Sequence, residues 1–183
     1  MKYKLLVMTF LLSIGAYSAS AGEMGDFERA VSVGGLIGYD IPTYPNADGR
    51  LSWGAEVSRR FNKNWALGVS WTNSNGSKDE WDVDFMTTSA KLTHYCNIIP
   101  GMNYGLLYGH VFEDITRNIT TGNATKKTTE EAEIMFGAFV GYEIFITNEI
   151  STGAFVDYQM VLGSPRTYVR YEGHAAVRYW FDI

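Results

Sequence analysis

The chain has 183 residues, 15 Lys and Arg against 20 Asp and Glu, a formal charge of -5 and a single cysteine. That length suits one domain, the lone Cys96 excludes an internal disulfide, and an acidic balance without a basic patch excludes an ordinary nucleic-acid-binding surface.

Met1 to Ala21 opens with Lys2 and Lys4, runs apolar from Leu5 to Leu12 and closes on Ala19-Ser20-Ala21. This order of charge, grease and small residues predicts a cleaved signal peptide over 1–21 and a mature domain over 22–183. The apolar run is far shorter than the roughly 18 to 20 residues that a membrane-spanning helix requires. No cysteine near the cut offers a lipid anchor. Without Lys2 and Lys4 the formal charge falls from -5 to -7.

After the leader, apolar residues fall on alternate positions in eight stretches: 29–41, 50–61, 64–73, 80–93, 102–112, 131–145, 149–162 and 170–183. Alternation of this kind places successive side chains on opposite sheet faces. Most stretches match the roughly 9 to 11 residues of a tilted transmembrane strand, where soluble strands average about 5 or 6. In the second, Leu51, Trp53, Ala55, Val57 and Phe61 oppose Ser52, Gly54, Glu56, Ser58 and Arg60. The third sets Trp65, Leu67, Val69 and Trp71 against Ala66, Gly68, Ser70 and Thr72. In the eighth, Ala175, Val177, Tyr179, Phe181 and Ile183 oppose Glu172, His174, Arg178 and Asp182.

Interior parity assigns Glu56, Arg60, Asp82, Asp84, Glu133, Glu143, Asp157, Arg170, Glu172 and Arg178 to one enclosed face. So many ionisable groups cannot line an apolar pocket, whereas they can form a paired, hydrated lumen. The expected fold is therefore all-β: an eight-stranded antiparallel up-and-down transmembrane barrel, greasy outside and polar within. On this parity Lys91 faces lipid and Leu92 the lumen, which requires a bulge or a snorkelling lysine. The fifth strand is also mixed, with Leu107 and Val111 inward and His110 outward. Aromatic rings prefer membrane interfaces. Tyr39, Trp53, Trp71, Trp81 and Tyr158 are expected to form one girdle, and Phe61, Trp65, Tyr95, Tyr179 and Phe181 the other.

Connections alternate long and short. Pro42 to Gly49, Ser74 to Asp79, Glu113 to Glu130 and Gly163 to Val169 read as surface loops, while Asn62-Lys63, Pro100-Gly101 and Ile146 to Asn148 read as tight turns. Both termini then lie on the turn side. Eight strands enclose a bore just wide enough for side chains, so no large pore is expected.

The segments Trp53-Gly54-Ala55-Glu56-Val57, Phe61 through Val69, and Gly137-Ala138-Phe139-Val140-Gly141-Tyr142 with the Thr147-Asn148-Glu149 turn carry a resemblance. They resemble the small eight-stranded outer-membrane proteins of Gram-negative bacteria, the OmpX, OmpA-barrel and OmpW-like group. That resemblance covers the whole mature chain and implies the cell outer membrane as its location, with a structural or adhesion-like surface role. It implies membrane lipid and lipopolysaccharide as surroundings, periplasmic chaperones and the barrel-assembly machinery during biogenesis, and a monomer. Members usually end in an aromatic residue; here Phe181 is followed by Asp182 and Ile183.

Two other function classes stay open at this stage, a lipid A acyl hydrolase and a small-solute channel. Barrel deacylases resemble one another in a His-x-Ser pair beside an acid. His94, His110 and His174 each lack it. Catalysis is not expected, His174 reads as a member of the lumen ion network, and three scattered histidines with one cysteine predict no metal site and no cofactor. Cys96 reads as a half-buried thiol, with an intermolecular disulfide as the alternative. The long loop 113–130 holds Thr116, Thr120, Thr121, Thr125, Thr128 and Thr129 around Lys126-Lys127. Threonine favours strands, so part of this loop is expected to prolong the fifth and sixth strands and present an edge to a host or surface ligand.

Overall fold

A computed structural model describes residues 31–43, 48–78, 81–117, 127–147, 149–163 and 167–181. The leader, most of the loop 113–130 beyond Arg117, and Ile183 lie outside them. Eight antiparallel strands close on themselves in chain order: β1 (Val31–Pro42), β2 (Arg50–Asn62), β3 (Trp65–Lys78), β4 (Trp81–Tyr95), β5 (Met102–Arg117), β6 (Lys127–Phe145), β7 (Ile150–Leu162) and β8 (Thr167–Phe181). Closure through β1 and β8, from Val31 opposite Phe181 to Pro42 opposite Arg170, leaves no open sheet edge within the wall.

Burial alternates along most of the wall in the direction a membrane demands. β8 reads exposed-buried without interruption from Tyr171 to Phe181. Its outward set is Ala175, Val177 and Tyr179, and its inward set Arg170, Glu172, His174, Arg178 and Trp180. Ile37, Leu106, Val140, Val156 and Val177 all stand exposed although apolar. Such a belt is stable against acyl chains and aggregates in water. Leu106 is 62% exposed and sits between Leu92 and Ala138 in the register. Leu106→Arg is expected to cost about 2–4 kcal/mol of folding stability in a bilayer, read as a fall in urea midpoint on vesicles. Leu106→Val should be nearly neutral.

The fourth strand corrects the expected parity. Val83, Phe85, Thr87, Ser89, Lys91 and Thr93 are buried, whereas Asp84 is exposed and Leu92 half-exposed. Asp82 and Asp84 are therefore not lumen residues, and Lys91 needs neither bulge nor snorkelling. The strand holds acids on one parity and a lysine on the other, so charge alone could not choose between faces. What chooses is the pairing: inward Lys91 meets Glu56, and Asp82 and Asp84 stand near the loop-side end of the strand, where water reaches them.

A second correction concerns the lumen, which is not uniformly polar. Leu36, Val83, Phe85, Leu107, Val111, Met135, Phe139, Phe155, Val161, Tyr168 and Ala176 form one buried apolar cluster inside the cylinder. A narrow bore must be filled, and aliphatic side chains fill space without needing partners. Gly105 is required where the wall closes tightly: a Cβ there would collide with the Leu92 carbonyl and press on the Phe139 ring. β3, β5 and β6 also run further than the alternation suggests, to Lys78, to Arg117 and from Lys127.

Candidate functional site

From the turn side upward, the lumen opens on a half-buried Arg60 whose guanidinium lies 4.0 Å from the Tyr95 ring centre and 4.5 Å from Trp180. Tyr95 thus faces the mouth of the barrel and is not part of a girdle, because odd positions of β4 point inward. Its girdle assignment came from ring chemistry, which an inward cation satisfies equally well. Fully buried Trp180 donates its indole N–H to Ser151 Oγ at 2.8 Å, and Ser151 donates to Glu143 at 2.5 Å.

Above this mouth Arg178 bonds Glu56 and holds Glu143 Oε1 at 2.9 Å from Nη1. Lys91 Nζ approaches the other Glu56 oxygen at 3.6 Å and lies over the rings of Phe139 (4.2 Å) and Phe155 (4.8 Å). Two carboxylates and two cations from β2, β4, β6 and β8 thereby span the bore. Buried charges persist only when paired in this manner. Next come Asp157 and Glu172, opposite each other across β7 and β8. Glu172 accepts from Ser52 at 2.7 Å and Gln159 at 3.4 Å, and His174 Nδ1 stands 3.8 Å from Asp157. Cavities between these groups measure about 10 Å³ each, room for a single water.

Towards the loops Arg170 is 1% exposed and donates to both oxygens of Asp40, at 3.1 and 2.9 Å, and to Thr87 Oγ1 at 2.7 Å. Arg50 lies 4.7 Å over Phe85, and the Tyr168 hydroxyl donates to Glu113. Glu56, Arg60, Glu133, Glu143, Asp157, Arg170, Glu172 and Arg178 all sit on the inner face, and Asp82 and Asp84 do not. Sequence reasoning missed Asp40, Arg50, Lys91 and Glu113. Parity could have found Arg50 and Glu113, which share the face of residues already placed inside in β2 and β5, and Asp40, which has the opposite parity to outward Tyr39.

On the outer wall Tyr39, Trp53 and Tyr158 are exposed in the loop-side half, with Trp53 and Trp71 in edge contact at 4.9 Å. The side chain of Trp81 lies outside the description. Phe61, Trp65, Tyr179 and Phe181 are exposed near the turns. His110 faces outward opposite Thr88 and Ile134, with Tyr108 at 6.3 Å and no serine or carboxylate at either register position. Among the described residues no cluster of His, Cys, Asp or Glu is arranged to hold a metal ion. Cys96 is half-buried and free.

Just above the apolar belt, Asp84 stands directly opposite Asp114 across β4 and β5, and Glu130 follows on β6. Partial burial, then the charges of Asp114 and Asp82, push the Asp84 carboxyl above its ordinary range. A carboxyl raised on folding binds its proton more tightly in the folded barrel, so this group favours the fold below its unfolded value of 3.8. The contribution is lost as pH rises through the higher folded value. Asp114→Asn is accordingly expected to raise stability by about 0.2–1 kcal/mol at neutral pH and to leave it unchanged near pH 3, measured as urea midpoints at the two pH values.

The loop side is uneven in height. β3, β4, β5 and β6 remain paired up to Lys78 opposite Trp81, Trp81 opposite Arg117 and Arg117 opposite Lys127. β1 and β2 stop pairing at Asp40 and Arg50, and β7 and β8 at Leu162 and Thr167. A four-stranded sheet therefore projects above the wall. Its β6 border, from Lys127 to Ala132, has no strand partner on the β7 side among the described residues, because that pairing begins at Ile134 opposite Leu162. Thr116, Thr128 and Thr129 fall in this extension; Thr120, Thr121, Thr125 and Lys126 lie outside the described residues.

No protein-family model matches the chain, and no curated protein is significantly similar to it. Solved structures are similar in fold. Neisserial surface protein A superposes with a TM-score of 0.61 at 14% identity, covering 82% of this chain and 96% of that one. Ail, the attachment invasion locus protein of Yersinia pestis, gives 0.59 at 12% identity over 82% and 97%. The N-terminal barrel of Pseudomonas aeruginosa OprF gives 0.50 at 15% over 81% and 97%. At such identities the likeness concerns architecture, and the chain resembles small eight-stranded outer-membrane barrels in that sense.

Proposed function

We propose that the protein is a surface-interaction barrel of the bacterial outer membrane, exported by its leader, non-enzymatic and without a diffusion pore. The observation that carries this reading is the projecting sheet, whose β6 border from Lys127 to Ala132 has no β7 strand partner among the described residues and so presents an edge to an incoming strand. Free sheet edges are recognised by strand addition, with main-chain hydrogen bonds supplying affinity. The side-chain-filled lumen supports the absence of a pore, and the outward surroundings of His110 support the absence of hydrolase chemistry. Adhesion-type neighbours are in line with it: Ail is an attachment invasion protein, and one of its structures holds a heparin analogue.

Deleting residues 116–128 removes the upper part of this sheet while leaving the wall pairing intact. Cells displaying that variant are expected to lose adherence to an epithelial monolayer at least tenfold, with unchanged heat-modifiable migration of the folded barrel. Adherence equal to that of the intact protein would refute the assignment.

A further inference from the structure

The turn-side rim is polar along one arc and greasy along another. β6 runs to Phe145, whereas β5 starts only at Met102 opposite Tyr142, so the wall is notched where the 96–101 turn meets the end of β6. Gly101, with φ of +88°, turns the chain tightly enough for the Tyr142 ring to lean over it, and Glu143 N–H bonds its carbonyl at 2.8 Å. Around the notch Ile98, Ile99, Tyr142, Ile144, Phe145 and Ile146 are all exposed, Ile98 to 89%.

The notch is a cavity of about 300 Å³, and it runs from lipid-facing Tyr142 and Ile144 inward to Arg60, Tyr95 and Glu143. Arg60 carries its charge there without an ion pair among the described residues, stacked on rings, and its Nε is hidden with no hydrogen-bond partner. Glu143 shares the lining of this cavity but makes no ion pair with Arg60: its Oε1 is held by Arg178 and Ser151, and its Oε2 is buried without a hydrogen-bond partner. A cation at the inner end of a groove whose outer end continues the acyl-facing belt is complementary to one class of molecule.

We propose that this notch binds an anionic phospholipid of the turn-side leaflet, head-group phosphate on Arg60 and acyl chain along Tyr142, Ile144 and the isoleucine-tipped turns. The site lies at the opposite end of the barrel from the projecting sheet and does not depend on it.

The test uses the full mature chain, reconstituted in vesicles of equal phosphatidylcholine and phosphatidylglycerol, then released into detergent for native mass spectrometry. The wild type is expected to retain phosphatidylglycerol over phosphatidylcholine by roughly fivefold or more. Arg60→Gln should abolish that preference, and Ile98→Asn, at a turn position 89% exposed, should weaken total retention. Glycerol phosphate or inorganic phosphate in excess should not displace the lipid. Equal retention of the two lipids by the wild type overturns the proposal. So does full displacement by free phosphate, which would make this a soluble-anion site, and so does wild-type selectivity in a folded Arg60→Gln barrel.

Discussion

Arg178→Ala is expected to lower folding stability by about 3–5 kcal/mol, seen as a lower urea midpoint for refolding in micelles. Arg178 is the only described group that bridges Glu56 and Glu143, two carboxylates buried to within 4% of full enclosure. Its removal leaves Glu143 with Ser151 alone and Glu56 with Lys91 at 3.6 Å, a longer and weaker pair. Desolvated charge, more than lost attraction, sets the size of the effect. Glu56→Ala should cost less, because Arg178 keeps Glu143 and Lys91 keeps its place over the Phe139 and Phe155 rings. If Arg178→Ala refolds with the wild-type midpoint, the lumen charges are hydrated and not paired as described.

Arg170→Ala is expected to destabilise by a similar amount, and for a different reason it is separable by a second substitution. Asp40 receives both of its hydrogen bonds to a guanidinium from this one side chain, and among the described residues only the Ser74 Oγ hydrogen bond at 3.0 Å and the nearby charge of Arg50 remain once it is gone. The ring of Phe85 also loses the Arg170 guanidinium that lies 5.0 Å from its centre. Replacing the pair together, Asp40→Leu with Arg170→Met, removes both charges and refills the volume. Most of the lost stability should return, since exchanging a buried ion pair for apolar residues of like size is often neutral or favourable. A double variant no more stable than Arg170→Ala alone would mean that packing, and not the orphaned carboxylate, carries the loss.

Much of the architecture was legible in the order of residues. Strict alternation in the second, third and eighth strands reports a two-faced wall, because a period of two has only one geometric meaning in extended chain. Large charged residues on the same parity as Ser and Gly marked the inside as polar. The fourth strand resisted for a physical reason: Asp82, Asp84 and Lys91 are all costly in lipid, they lie on opposite parities, and only depth separates them. Depth is a property of the closed cylinder, where Asp84 clears the belt and Lys91 lies at the level of Glu56. Tyr95 shows the same limit, for an aromatic ring near a strand end suits a lipid interface or an inward guanidinium equally well.

Periodicity, connection lengths and the position of charge thus determined by themselves that this is an eight-stranded barrel with apolar outside and ionic inside. Which cation meets which carboxylate, that an apolar layer fills the bore towards the loops, that β6 runs on beyond the start of its described pairing with β7, and that the rim is notched beside Arg60 were decided only by tertiary structure. Those features depend on strand stagger and register between residues up to 150 positions apart, as Val31 and Phe181 are, and local sequence carries no record of which distant residue a side chain will face.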